Sequence, residues 1–442
     1  MGTKTAIKDA RTLGLPKMLL LGLQHMFAMF GATILVPILV NEYFEGAGLS
    51  IQVTLFCAGA GTLLFHFITK RKVPAFLGSS FAFLGGFATI ASLNTGIYEN
   101  MTMAEKLPYA CGGIVVAGGL YVVLAIIIKL VGVKRVMRFL PPVVTGPIII
   151  CIGLSLAPSA VINASTNWLL AIIALAVIVI FNIWGKGMFA IVPILMGILI
   201  AYICAVIFNA AGMTNADGSA IIEFSNIAQA KVVSVQPFVL CKFDLTAILV
   251  MAPIALATMM EHIGDISAIS ATVDENFVED PGLHRTLLGD GLATALAGAI
   301  GGPANTTYGE NTGVLELSKV HDPKVIRLAA IYAVVLSFSP MAAAVIGSIP
   351  TAIIGGVSFI LYGMIAAIGV RNVVENKVDF KKSRNLIIAA VILVSGLGFS
   401  EGITFTIGST SVTLTSLAIA AILGILLNAI LPGKEEYKAR ND

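Results

Sequence analysis

The sequence predicts an all-α polytopic membrane protein with fourteen embedded segments arranged as a seven-plus-seven inverted repeat. Three observations carry that prediction. Hydrophobic residues make up 57% of the chain and charged residues only 12%, about half the charge of a soluble domain. Basic residues fall in alternate gaps between apolar runs. Two polar stretches punctuated by Gly and Pro, 74–92 and 302–318, recur about half a chain apart.

Apolar runs bounded by charges or turn residues place spans near 18–40, 50–69, 108–131, 136–157, 167–185, 187–210, 244–270, 286–300, 325–348, 350–370, 384–400 and 412–432. Most approach the ~20 residues that cross a hydrocarbon core. The first run carries no formal charge. It also outruns the ~7–15-residue core of a cleavable signal, so it is expected to remain as a span. Counting 74–92 and 302–318 as embedded brings the total to fourteen.

Charge placement tests that count. With the N-terminus inside, alternate gaps should be cytoplasmic and basic. Those gaps hold Lys4, Lys8, Arg11 and Lys17; Lys70, Arg71 and Lys72; Lys129, Lys134, Arg135 and Arg138; Lys186; Arg285; Lys319, Lys324 and Arg327; Arg371, Lys377, Lys381, Lys382 and Arg384; and Lys434, Lys438 and Arg440. Of the 27 basic residues, only Lys106, Lys231 and Lys242 fall outside the set. Both termini are therefore expected in the cytoplasm, with the polar stretch 211–240 outside as the linker between halves.

The halves echo each other. Gln24-His25 sits in the first segment and Glu261-His262 in the eighth; Pro74-Ala75 opens the third and Pro303-Ala304 the tenth. An odd number of segments per half inverts the second half, the arrangement of secondary transporters whose sites lie where interrupted elements meet. Pro303-Ala-Asn-Thr-Thr-Tyr-Gly-Glu-Asn-Thr-Gly313 is therefore the expected half-site, with Phe81 and Glu310 repeat-related. Non-helical backbone at membrane depth must line a cavity or be buried in protein. Short strands and half-helices both suit these stretches, and periodicity does not separate them.

The acids at membrane depth are Glu261, Asp265, Asp290 and Glu310, and such residues mark functional sites by default. Glu261 and Asp265 are four apart and share a helix face, so they repel when both are ionised, which suits proton coupling. Asp290, between glycines, suits a packing role equally well. His25 and His262 follow polar partners within spans, and Tyr362 lies near glycines. A site of carboxylates, hydroxyls and free backbone N–H groups, with no nearby Lys or Arg, suits a cation or a neutral molecule with N–H donors and carbonyls. The five cysteines are scattered, with no CxxC or Cys/His cluster, so neither metal site nor disulfide framework is expected. No nucleophile–base arrangement stands out, so an enzyme is not expected.

At these residues the chain resembles the nucleobase–cation symporters of the nucleobase–ascorbate group, above all their bacterial uracil-carrying branch. The resemblance is carried by Gln24-His-Met-Phe-Ala-Met-Phe-Gly-Ala-Thr-Ile-Leu-Val-Pro37, Val73-Pro-Ala-Phe-Leu-Gly-Ser-Ser-Phe-Ala-Phe83, Asp280-Pro-Gly-Leu-His-Arg285 and Asn305-Thr-Thr-Tyr-Gly-Glu-Asn-Thr-Gly313. It implies short strands in segments three and ten. It also implies a core domain from 1–132 and 241–348, and a gate domain from 133–240 and 349–442.

The resemblance further implies proton-coupled uptake of uracil or a related nucleobase through the plasma membrane, as a homodimer in the lipid bilayer, with protons as coupling ion, no other cofactor and no nucleic acid. Glu261 and Glu310 would accept the ring N–H groups, and the backbone around Phe81 and Gly309 would donate to ring carbonyls. Phe81, Ser80, Tyr308 and Tyr362 would shape the pocket. Asp265, Glu261 and Glu310 would couple protons, with Gln24, His25, Asp290 and Asn311 in support.

Three departures from the family pattern stand out. Ser318 replaces a Thr of the family signature but keeps the hydroxyl. Asp265 and Asp290 resemble the purine branch, which keeps xanthine as an alternative substrate. An anion transporter or channel of the same architecture is the more distant alternative, opposed by Glu261 and Glu310.

Overall fold

The computed structural model describes residues 6–186, 189, 192–400, 402–407 and 410–433. Lys4, Lys434, Lys438 and Arg440 lie outside these, as does the side chain of Glu310. Among the described residues, seven helices are long and apolar enough to cross a membrane: Leu15–Tyr43, Ile51–Ile68, Met103–Val131, Pro142–Ser165, Pro193–Ala210, Leu245–Val273 and Thr351–Glu375. An eighth is counted if Pro323–Ser337 and Pro340–Gly347, bent by 90°, form one span. Trp168–Trp184, Ser383–Gly398 and Ser416–Ile430 are shorter apolar helices.

Local chemistry explains the boundaries. Ser50 accepts from Val53 N at the start of Ile51–Ile68, and Thr102 with Glu105 forms a capping box at the start of Met103–Val131, each satisfying N–H groups that the first turn leaves orphaned. Pro253 lies in a 3-10 turn, Ala252–Ile254, that interrupts Leu245–Val273, since proline removes a backbone donor and crowds the preceding turn. Ser339 caps a new helix ahead of Pro340, which splits the span expected over 325–348. The span expected at 136–157 likewise starts late, because Pro141 and Pro142 open the helix Pro142–Ser155.

The two polar stretches do contain strands. β1 (Leu77–Ser79) and β2 (Asn305–Thr307) pair antiparallel, with Leu77 opposite Thr307 and Ser79 opposite Asn305. Ser80 N donates to Ala304 O (2.8 Å) and Tyr308 N to Phe76 O (3.0 Å), extending the ladder at both ends. A ribbon this short would be marginal in water; here every strand residue is buried. Its outer edges need partners, because no water is at hand in the bilayer core. Thr62 provides one, accepting from Leu77 N (2.9 Å) and donating to Leu77 O (3.2 Å). Thr294 donates to Asn305 O (2.9 Å), and Asn305 Nδ2 donates to Cys57 O (3.1 Å).

Each strand runs straight into a helix. β1 leads to the 3-10 turn Phe81–Phe83 and the helix Leu84–Ser92; β2 leads to Gly309–Ser318. Around this pair, Met103–Val131 and Leu283–Ala299 pack along their length, as do Pro323–Ser337 against Ile51–Ile68 and Leu15–Tyr43. Thr351–Glu375 packs instead against Pro142–Ser155, Ala157–Ser165 and Trp168–Trp184. Ser383–Gly398 joins that group through Pro142–Ser155 and Ser416–Ile430. A second ribbon, β3 (Ile403–Ile407) with β4 (Thr410–Leu414), connects the last two helices.

Candidate binding site between two short strands

The site begins where the strands end. Ser80 and Tyr308, the residues preceding the two helical turns, provide no side-chain cap. No N-cap side chain occupies the first N–H groups of either turn, and each helix start carries part of a positive dipole. Beside them, Glu261 and Asp265 project from one face of Ala255–Val273, as the four-residue spacing requires. Glu261 is half-buried and Asp265 buried. Thr307 Oγ1 donates to Asp265 Oδ2 at 2.8 Å, tying the strand to the helix.

These groups enclose a small cavity of ~20 Å³, room for about one water. Glu261, Asp265 and Thr306 through Gly309 form its polar wall; Phe81, Ile149, Ile365 and Ile368 form its apolar wall. The polar side comes from the strand-bearing helix group, and the three isoleucines come from the other group. Ile368 also borders two larger cavities, of about 620 Å³ and 360 Å³. Arg371, near the C-terminal end of Thr351–Glu375, lines both.

A second polar layer lies behind the cavity. His262 Nδ1 is 2.9 Å from Asp290 Oδ2, and both side chains are fully buried. Asn311 Nδ2 donates to His25 O (3.1 Å) and lies 3.2 Å from His25 Nδ1. Tyr308 OH donates to Ser79 O at 2.9 Å, and Ser79 Oγ donates to Thr33 O at 2.7 Å. Gly78 lies directly against the Tyr308 ring, a contact that a Cβ would block.

Of the residues expected to bind or couple, Phe81, Glu261, Asp265, Tyr308 and Gly309 line the cavity. Tyr362 meets Phe81 edge to face, with centroids 5.8 Å apart, and so backs the lining. The Tyr308 hydroxyl is spent on joining the strands. Ser80, Gln24, His25, Asn311 and Asp290 are buried but stand off the cavity wall. Glu310 belongs to the helix Gly309–Ser318. Thr306 and Thr307 also line the cavity; their only mark in the sequence is that they are polar residues at membrane depth. Ile149, Ile365 and Ile368 carry no sequence signal that separates them from other span residues.

Known proteins share both sequence and fold with this chain. Residues 16–405 match the Permease family that includes xanthine and uracil permeases. The uracil permease of Bacillus caldolyticus is 40% identical over 445 residues, covering 97% of this chain and 95% of that protein. The uracil permease of Bacillus subtilis is 39% identical, covering 94% and 93%. The putative pyrimidine permease of Escherichia coli is 37% identical, covering 94% and 89%. Among solved structures, the transmembrane domain of the cyanobacterial bicarbonate transporter BicA superposes with a TM-score of 0.63 at 14% identity, covering 95% of this chain and 100% of that one. Murine Solute Carrier 26 member A9 gives 0.61 at 11% identity, covering 97% and 73%. At such identities these two share the fold alone. With a family match across most of its length and relatives of near-equal length, the chain belongs to the Permease family of multi-pass membrane transporters.

Proposed function

We propose that this chain imports uracil across the plasma membrane by proton-coupled alternating access. The observation that carries the reading is the meeting, at one cavity, of two uncapped helix starts with the Glu261–Asp265 face. Uracil presents ring N–H donors and carbonyl acceptors, which match carboxylates and backbone N–H groups respectively. The uracil permeases among the relatives support the same substrate. In this reading Glu261 and Glu310 accept the ring N–H groups, Gly309 N–H donates to a carbonyl, and Phe81 packs on the ring. Asp265, held by Thr307, sits four residues from Glu261, so a proton shared along that face would accompany the substrate.

Fourteen segments in two inverted halves, with both termini cytoplasmic, complete the proposal. Residues 1–132 and 241–348 form the core, and 133–240 and 349–442 the gate, which rocks against it. A homodimer is the proposed assembly. The cavity is far smaller than the ~300–1,000 Å³ of small-molecule sites, so binding requires the isoleucine wall to withdraw from the polar one.

Labelled uracil uptake into proteoliposomes tests this. Uptake should follow an inward proton gradient, and a sodium gradient alone should not drive it; sodium-driven accumulation would refute proton coupling. Xanthine is the second reading, favoured by the presence of Asp265, and competition by xanthine over uracil would select it. Glu310→Gln replaces a charged acceptor with a mixed group. It should cost about 1.5–3 kcal/mol, roughly a ten- to hundredfold loss of uracil affinity in the purified protein. An unchanged affinity would remove Glu310 from the site.

A further inference from the structure

We propose that Ile368 is a size filter that restricts the central site to a single ring. The inference rests on the nucleobase reading above and adds a residue that no family resemblance supplied. Three observations converge on this side chain. Ile368 lines the central cavity, and it also borders both of the larger cavities. Its Cδ1 lies where a Cβ on Gly309 would come within 2.7 Å, so it packs directly on the backbone proposed to hold a ring carbonyl. It lies one turn along Thr351–Glu375 from Ile365, on the side turned toward Gly309, and it is only half-buried.

Geometry then determines what the side chain separates. The polar wall takes the edge of the ring that carries N–H and C=O groups, so the hydrocarbon edge faces Ile149, Ile365 and Ile368. A purine fuses its second ring along that hydrocarbon edge. Behind Ile149 and Ile365 lies packed protein: Ile149 and Ile365 border neither large cavity. Behind Ile368 lies open volume. Shortening this one side chain therefore joins the central cavity to space that a second ring can enter, while shortening the others leaves a closed dent. A single methylene in an apolar pocket changes discrimination by about 10–200-fold, so loss of three carbons is ample.

The test compares the native chain with Ile368→Ala and Ile368→Val in proteoliposomes, reading labelled uracil uptake against unlabelled xanthine and hypoxanthine. The ratio of purine to uracil inhibition constants should fall at least about tenfold in Ile368→Ala, with Ile368→Val between. An unchanged ratio in an active variant overturns the filter. A second readout needs no transport. Ile365→Cys, placed at the central cavity, should react with a bulky membrane-impermeant maleimide faster when combined with Ile368→Ala than with Ile368 intact, the native cysteines giving the background. Equal rates overturn the proposal even where uptake is lost. If the native chain takes up no uracil, the nucleobase reading fails by itself, and the labelling rates still decide whether Ile368 closes the cavity.

Discussion

His262 and Asp290 form a fully buried pair at 2.9 Å, one layer behind the Glu261 side of the cavity. Removing one partner from such a pair strands the other in low dielectric, at a cost of about 3–5 kcal/mol where charge is involved. Asp290→Ala should therefore lower stability by about 3 kcal/mol, measured as unfolding in detergent, while Asp290→Asn keeps an oxygen for His262 Nδ1 and should lose less. Equal losses would mean that the pair contributes packing rather than a polar contact. Sequence identified Asp290 as an intramembrane acid and His262 as a buried imidazole. It could not join them, because they lie 28 residues apart on different helices, and the pairing is a product of tertiary packing. Glu261 and Asp265 were legible as a pair for the opposite reason: four residues on one helix share a face whatever the fold.

At the scale of elements, close helix crossings depend on small residues. Gly118 of Met103–Val131 faces Gly291 of Leu283–Ala299: a Cβ on Gly118 would come within 2.5 Å of Gly291 O and 2.7 Å of Ala295 N. Backbones can approach this closely only where a side chain is absent, the usual solution between membrane helices. Gly118→Val should push these helices apart and, through Asp290 and Thr294 on the second helix, disturb both the His262 contact and the edge of β2. The expected result is a loss of thermal stability together with uracil affinity. Gly119, beside which a Cβ meets nothing within 4 Å, is the control and should tolerate the same change. Hydrophobic runs and their Pro and Gly punctuation made most helices legible to within a few residues, but not the 90° break inside 325–348 or the strand Thr410–Leu414 at the start of 412–432. In the residues themselves the strands of segments three and ten showed as a failure of helical character, and the family resemblance alone implied strands there: three-residue elements have too few side chains to show a period of two, and their pairing joins residues more than two hundred positions apart.

At the scale of the whole molecule, the N-terminal tail binds together the ends of the two elements that carry the cavity's polar wall. Ile7 N donates to Lys319 O (2.8 Å) and His321 N to Ile7 O (2.9 Å), just beyond the end of Gly309–Ser318. Lys8 pairs with Glu275 at 2.7 Å, just beyond the end of Leu245–Val273. Ala10 N donates to Asp322 Oδ2 (2.8 Å), and Lys324 Nζ reaches Asp9 at 3.2 Å. Ala10 itself is fully buried against Val320 and Val325. Composition marked this stretch only as basic; the docking depends on partners about three hundred residues away. Two charges set its pH window. The Arg11 side chain, and then its backbone N–H, hold the Asp9 carboxyl well below its ordinary value; both lie within the tail, so only the smaller hydrogen bond from Lys324 links Asp9 to docking. A depressed carboxyl adds stability that is fully present above the ordinary carboxylate range and lost as pH falls through the lowered value. Glu275 raises Lys8, first by hydrogen bond and then by charge, so that contribution is present below the ordinary lysine range and lost only as pH rises through the raised value. Docking should therefore be flat from mildly acidic to mildly alkaline pH and loosen below about pH 4. These side chains are exposed, so raising the salt to about 1 M, where screening acts within ~3 Å, should weaken the charged contacts but leave the Ala10 anchor. Hydrogen exchange at the Ile7 and Ala10 amides, corrected for the intrinsic pH dependence of exchange, reads both effects. Protection that disappears between about pH 7 and pH 5 would show that groups other than Asp9 and Lys8 hold the tail; protection absent at neutral pH would show that the tail is not docked in the membrane.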